Sequence, residues 1–230
     1  MDISLAPPNI VITGSWRSGT TLLYLYFPIA FADVAISGVE SPAMTTRLPA
    51  GFSWRVSKSP NDIHHAREIQ IALDAWIIYM LRDPRDCIVS WKTARHDYHL
   101  AFNEWLRNFL FAKSYKGDKL LWIRFEQLVR RPEAVQELLA EIIGLRPVIP
   151  LAECHRHFVP HGEMIYRQLA HGVRDESPGP TVRPLDPLVI GSWRRDKARV
   201  RQQLDQFPEM QAILEWLGYE ENEAWQHQLT

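Results

Sequence analysis

The sequence predicts an α/β domain built on a mostly parallel sheet, and three observations lead there. Five short apolar runs, rich in β-branched and aromatic residues, recur along the chain: Asn9–Thr13, Val34–Ser37, Trp54–Ser57, Trp76–Leu81 and Leu120–Arg124. Stretches with helical periodicity separate them, the alternation expected of parallel strands joined by crossover helices. The 230 residues are 46% hydrophobic and 23% charged, ordinary values for a chain that buries a core.

The elements follow in order. The first run leads into V-I-T-G-S-W-R-S-G-T-T-L-L, residues 11 to 23, where a glycine-punctuated loop opens a helix at about Gly19. His99–Tyr115 reads as an aromatic helix whose Phe102, Trp105, Phe109 and Phe111 face the core. Pro132 and Gly144 bracket a helix with Val135, Leu138, Leu139, Ile142 and Ile143 as its apolar stripe. Pro208 and Gly218 bracket another, built on Met210, Ile213, Leu214 and Leu217. Between Pro147 and Pro187 fall seven of the sixteen prolines and four of the nine histidines. Residues 147–190 therefore read as an irregular lid or acceptor loop within one domain spanning 1–230. A basic run, Arg194 to Arg201, precedes an acidic tail with six acids and no Lys or Arg from Asp205 onward.

Charge and cysteine usage exclude several classes. With 26 Lys+Arg against 27 Asp+Glu, the net charge of −1 lacks the basic footprint of a nucleic-acid binder, so any anion site is local. Cys87 and Cys154 are too few for a disulfide framework and point to a reducing compartment. The start of the chain shows no signal-peptide pattern. The longest apolar run near the middle, Ala75 to Leu81, has seven residues, whereas a membrane span needs about 20. The chain reads as soluble and cytoplasmic, with no membrane span.

The loop at 14–21 is the most informative stretch. Backbone N–H groups of such a loop, together with a helix N-terminus, can cradle a phosphate. A nucleoside-triphosphate loop reads G-x-x-x-x-G-K-S/T. Gly14 and Gly19 have that spacing, but Thr20 stands in the lysine position and the cation comes earlier, at Arg17. This departure counts against an ATPase, GTPase or kinase.

R-S-G-T-T after a strand resembles the 5′-phosphosulfate loop of the sulfotransferases that use 3′-phosphoadenylyl sulfate (PAPS). The resemblance implies a three-layer, P-loop-like fold with a mostly parallel central sheet flanked by helices. It implies that Arg17 touches the oxygen bridging phosphate and sulfonate, where charge builds as that bond breaks. Ser18, Gly19, Thr20 and Thr21 would supply donors to the 5′-phosphate. Y-M-L-R-D-P-R-D-C-I-V-S, residues 79 to 90, supplies the second anion site that PAPS requires. Arg82 and Ser90, eight residues apart, match the arginine and serine that hold the 3′-phosphate in this family.

Two further segments extend the resemblance. L-L-W-I-R-F-E-Q-L-V-R-R-P, residues 120 to 132, is similar to the family's strand followed by Y-E-D-L-x-x-x-P, with Phe125 in place of the tyrosine and Gln127 in place of the aspartate. Phe125 would stack near the nucleotide. I-G-S-W-R-R-D, residues 190 to 196, resembles the G-x-W-K/R element, but Asp186, Pro187 and Leu188 replace the R-K-G triplet of cytosolic members. Arg183, Arg194 or Arg195 would then supply the missing contact, with Arg194 the choice.

Transfer to a hydroxyl needs a general base. Cytosolic members use the histidine of a K-T-H triplet, which here reads Lys58, Ser59, Pro60. Lys58 remains to stabilise sulfonate or leaving phosphate, and the base falls to Glu40, which follows the strand after the phosphate-loop helix. Other branches of the family place a glutamate there. His64 and His65 read as helix-surface residues, and Asp62 as a helix N-cap. Cys154, His155, His157 and His161 lack zinc-site spacing, so no metal is expected. The resemblance thus implies PAPS as co-substrate and a small-molecule or glycan acceptor. A P-loop phosphotransferase and a non-catalytic PAP(S)-binding module are the alternatives.

Overall fold

The computed structural model describes residues 4–37, 40–90, 98–157 and 183–229. A short strand β1 (Leu5–Ala6) pairs antiparallel with β4 (Leu48–Pro49) away from the main sheet. The main sheet contains β2 (Ile10–Gly14), β3 (Val34–Ile36), β5 (Trp54–Lys58), β6 (Trp76–Leu81) and β7 (Leu120–Arg124), in the order β3-β5-β2-β6-β7 with every pairing parallel. Each expected strand is present within one residue at either end.

The pleat sorts the strand residues into two cores. On one face Ile10, Ile12, Ile78, Met80 and Ile123 pack with α1 (Thr20–Ala30), α5 (Phe125–Arg130) and α6 (Pro132–Ile143). On the other, Val11, Ile77, Tyr79 and Leu81 meet α2 (Ala66–Leu73), α4 (Phe102–Ser114), α7 (Lys197–Gln206) and α8 (Glu209–Trp216). A period of two on buried central strands is what produces the three layers. Helix α6 runs from Pro132 to Ile143 and ends on Gly144 in the left-handed region at φ 88°, as its sequence brackets predict. The aromatic helix starts at Phe102 rather than His99, and one of its four aromatics, Phe111, faces outward with 44% exposure.

Short α3 (Pro84–Ile88) begins on Asp83, whose carboxylate accepts the Arg85 N–H. Arg85 is itself buried, with its guanidinium 4.6 Å from the ring centres of both Trp193 and Trp225. It pairs with Asp83 at 2.7 Å and with Glu220 at 2.5 Å, tying the C-terminal tail to the end of β6. Breaking such a pair strands a charge in low dielectric. Arg85→Met is expected to cost about 3–5 kcal/mol because Asp83 stays buried without its partner. Equilibrium urea unfolding checks this, and a loss near zero would show that the cluster contributes only packing.

Candidate active site

The parallel sheet delivers the loops after β2, β5 and β6 to one edge, the place where open α/β sheets bind ligands. After β2 the chain turns at Gly14, where an added Cβ would lie 2.5 Å from the Met80 carbonyl oxygen. Ser18 closes the turn: its N–H and its hydroxyl both donate to the Ser15 carbonyl, at 3.1 and 2.6 Å. Arg17 takes a left-handed φ of 68° at the apex. Gly19, at φ 95°, then starts α1, and no side chain caps the first turn. The leading N–H groups of α1 therefore turn toward the loop without intrahelical acceptors.

Phe125 explains why position 19 is glycine. A Cβ there would lie 2.5 Å from the Phe125 ring, and the ring's centre is 4.2 Å from the Arg82 guanidinium carbon. Arg82, at the end of β6, donates to the carbonyls of Arg17 (3.0 Å) and Val189 (3.1 Å) and lies 3.5 Å from the Asp86 carboxylate. Arg17 Nε donates to Ser90 Oγ at 2.7 Å. One turn beyond Arg82, the buried Asp86 accepts from the Gly191 N–H, the Ser192 hydroxyl and the Trp193 N–H at 2.9–3.0 Å. Burial and the neighbouring Asp83 push the Asp86 carboxyl pKa up, whereas Arg82 and the Trp193 and Gly191 N–H groups pull it back.

Two cavities meet at this edge. The larger, about 1100 Å³, is lined by Arg17, Arg82, Ser90, Phe125, Arg183 and Arg195 among others. The smaller, about 340 Å³, is lined by Trp16, Arg17, Glu40, Lys58, Pro60 and His99 among others. Arg17, Thr21, Leu22 and Arg82 border both. Lys58, at the end of β5 with 4% side-chain exposure, forms an ion pair with Glu40, which is 42% exposed.

Most of the residues singled out in the sequence gather here: Arg17, Thr21, Arg82, Ser90 and Phe125 around the larger cavity, and Gly19, Thr20, Glu40 and Lys58 around the smaller. Three expectations need correction. Arg194 lies outside both cavities, stacked 4.4 Å from the Trp193 ring centre and facing a separate cleft, while Arg183 and Arg195 border the larger cavity. Ser18 spends both its donors on the loop itself. Asp62 is not an N-cap, since Ser59 holds that position and the Asp62 carboxylate accepts the Ala43 N–H at 3.0 Å.

The histidines divide. His65 is exposed, and His64 is half-buried with its ring edge-on to Phe111 at 4.3 Å; neither lines either of these two cavities. Burial, the leading cause, lowers the His64 pKa. His99, by contrast, lines the smaller cavity with Trp16, and the sequence reading missed both. Only their neighbours, Arg17 and Ser90, carried a motif. Among the described residues, no three His, Cys, Asp or Glu side chains gather as a metal site, and His161 lies outside those residues. No described helix is long and apolar enough to cross a membrane.

Comparison with known families gives one assignment. The model of the sulfotransferase family matches residues 30–149, more than half of the chain. The chain belongs to the sulfotransferase family. The curated proteins offer no match to this chain. Among solved structures, the sulfotransferase domain of the Synechococcus PCC 7002 olefin synthase is 18% identical, with 87% of this chain and 94% of that domain covered at a TM-score of 0.54. Mouse sulfotransferase SULT7A1, solved in complex with PAP, is 14% identical, with 93% and 89% covered at a TM-score of 0.51. These likenesses establish the fold as the P-loop-like α/β fold of sulfotransferases.

The contact between Gly19 and Phe125 is open to a direct test. Gly19→Ala combines a strained φ with a clash against a packed ring, and is expected to destabilise the protein by about 1–3 kcal/mol. Shrinking the ring in a Phe125→Leu background recovers only the clash. Urea unfolding of the single and double variants separates the two contributions.

Proposed function

We propose that this sulfotransferase moves the sulfonate of PAPS to a hydroxyl of a small-molecule or glycan acceptor and releases PAP. The observation that carries this reading is the convergence of Arg17, Arg82 and Ser90 on a cavity that adjoins a second one holding Glu40 and Lys58. The larger cavity is lined by Arg17, Arg82, Arg183 and Arg195, enough cations for a ligand with two separate phosphate groups. Arg17 and the first turn of α1 face the 5′-phosphosulfate, and Arg82 with Ser90 faces the 3′-phosphate, with Arg183 and Arg195 along the wall. A nucleoside triphosphate has no 3′-phosphate to use the second position. The PAP complex of SULT7A1 supports the donor assignment by analogy.

The smaller cavity takes the acceptor. Its hydroxyl oxygen attacks sulfur in line, the O–S bond to phosphate breaks, and the hydroxyl proton passes to the Glu40 carboxylate. Arg17 borders both cavities and so sits where negative charge grows on the leaving phosphate. Lys58 stands beside Glu40 and faces the sulfonate as it crosses. Trp16, Pro60 and His99 wall the acceptor side.

Two outcomes are expected. PAP raises the melting temperature at micromolar concentration and ATP does so far less, and a concentration series yields Kd because stabilisation grows as RT ln(1 + [L]/Kd). Equal shifts from ATP and PAP that persist in Arg82→Ala would remove the 3′-phosphate assignment.

Glu40→Gln keeps the shape and removes the proton acceptor, so PAP binding stays normal while kcat falls by roughly 100-fold or more. The assay is ³⁵S-PAPS transfer across an acceptor panel that includes phenols, sugars and amines. Full activity in Glu40→Gln, with loss in His99→Asn, would move the base to the histidine.

A further inference from the structure

Glu40 has little packing of its own. Its side chain is 42% exposed and it stands on a loop whose Pro42, Met44 and Thr45 are also exposed. A base must nevertheless be held within a few tenths of an ångström of its working position. What fixes the loop is a set of hydrogen bonds. The Ser41 N–H donates to the Lys58 carbonyl at 3.2 Å, and the Thr46 N–H and hydroxyl close on the Pro42 carbonyl at 3.0 and 2.8 Å. Lys58 holds the Glu40 carboxylate from β5, and a further tie comes from the turn after β5: the Ala43 N–H donates to Asp62 Oδ2 at 3.0 Å. Ala43 is fully buried and Asp62 is 4% exposed, so water cannot replace either partner.

Asp62 is itself bolted to the sheet. Its own N–H donates to the Ser59 carbonyl at 3.2 Å, and the next residue, Ile63, donates to Thr13 Oγ1 at 3.1 Å. Thr13 in turn donates to the Pro60 carbonyl at 3.0 Å. A rigid path therefore runs from β2 through the turn at 60–65 to Asp62, across to Ala43, and back along the loop to Glu40.

We infer that Asp62 is a positioning residue for Glu40: its buried carboxylate clamps the 40–46 loop against the turn that follows β5. The role of Glu40 rests on the function proposed above, whereas the clamp itself does not. A buried carboxylate placed merely to cap its own turn would accept from that turn's N–H groups, and this one accepts from a residue nineteen positions earlier.

The charge of Asp62 strengthens the bond while it is ionised. Burial pushes its pKa up to about 6, the Ala43 N–H and His65 pull it down, and Glu40 adds to the rise. His65 lies on the same turn, Glu40 on the clamped loop, and Lys58 reaches this group through its pair with Glu40. As pH falls through that value the carboxylate takes a proton and the clamp weakens.

The test is hydrogen exchange over residues 40–47, with PAP binding and PAPS turnover to PAP and sulfate measured on the same proteins. In Asp62→Ala, exchange in this segment should rise by about 10-fold or more, the size expected for a lost charge-assisted bond. PAP affinity should stay within about twofold, and turnover should fall by a factor similar to the rise in exchange. Asp62→Asn, which retains an acceptor, should restore most of both. In the wild-type protein the Ala43 amide, corrected for intrinsic exchange, should lose protection as pH drops from 7.5 to 5, and Asp62→Asn should show no such step. If Asp62→Ala does not fold, this pH series on wild type and Asp62→Asn decides alone. Unchanged exchange in Asp62→Ala, or a pH step that survives in Asp62→Asn, would overturn the clamp. Loss of PAP binding in the wild-type protein would instead overturn the donor reading and leave the clamp standing.

Discussion

One buried carboxylate organises the larger of the two cavities. Asp86 has no side-chain exposure, and taking such a group out of water is costly unless every lone pair finds a donor. Here the Gly191 N–H, the Ser192 hydroxyl and the Trp193 N–H supply donors, with the Arg82 guanidinium alongside. The consequence is geometric. Arg82 leaves β6, Asp86 lies one turn later on α3, and the segment at 189–193 arrives from more than a hundred residues away to be held by both. The larger cavity exists because this carboxylate holds its far wall against its floor.

Arg17 and Arg82 extend the same logic into the loop. Two cations near each other repel, so each needs acceptors before a ligand arrives. Arg82 uses the carbonyls of Arg17 and Val189, and Arg17 uses the Ser90 hydroxyl. These acceptors are neutral. A dianionic phosphate would outcompete them, since hydrogen bonds to charged groups are roughly twice as strong. Arg17 is thus positioned by a neutral partner, whereas Arg82 also lies 3.5 Å from the Asp86 carboxylate, and an anionic ligand at Arg17 exchanges a weak partner for a strong one.

The strands and helices were legible because their signals are local. The unbroken apolar runs at Ile10–Ile12 and Ile77–Leu81, proline at the start of α6 and glycine after its end are visible in a window of a dozen residues. Arg17, Arg82 and Ser90 were legible for a related reason: each belongs to a strand-loop-helix segment whose chemistry is continuous in sequence. What stayed hidden depends on contacts between distant segments. The choice among Arg183, Arg194 and Arg195 turns on how a 3-10 turn at 192–195 points successive side chains, and adjacent residues there face different clefts. Asp62 reads as a cap because aspartate suits the position before a helix, and nothing near it in sequence announces Ala43. Trp16 and His99 carry no pattern at all until the fold brings them into one cavity.

The charge balance of the whole chain then acquires a physical meaning. A net charge of −1 gives no long-range pull on an anionic ligand, yet Arg17, Lys58, Arg82, Arg183 and Arg195 border the two cavities. Glu40, Asp86, Asp186 and Asp196 line the same cavities and offset much of that charge, Glu40 and Asp86 each held against a particular cation. The field of these groups fades within about a Debye length, roughly 8–10 Å at physiological salt, so each cation acts on a ligand only at close range. The strand order sets which of these cations are neighbours, because Arg17, Lys58 and Arg82 stand at or just beyond the ends of β2, β5 and β6. The order of the sheet thus arranges the edge of both cavities, with the loops supplying the hydrogen-bond donors and the strands holding those loops in place.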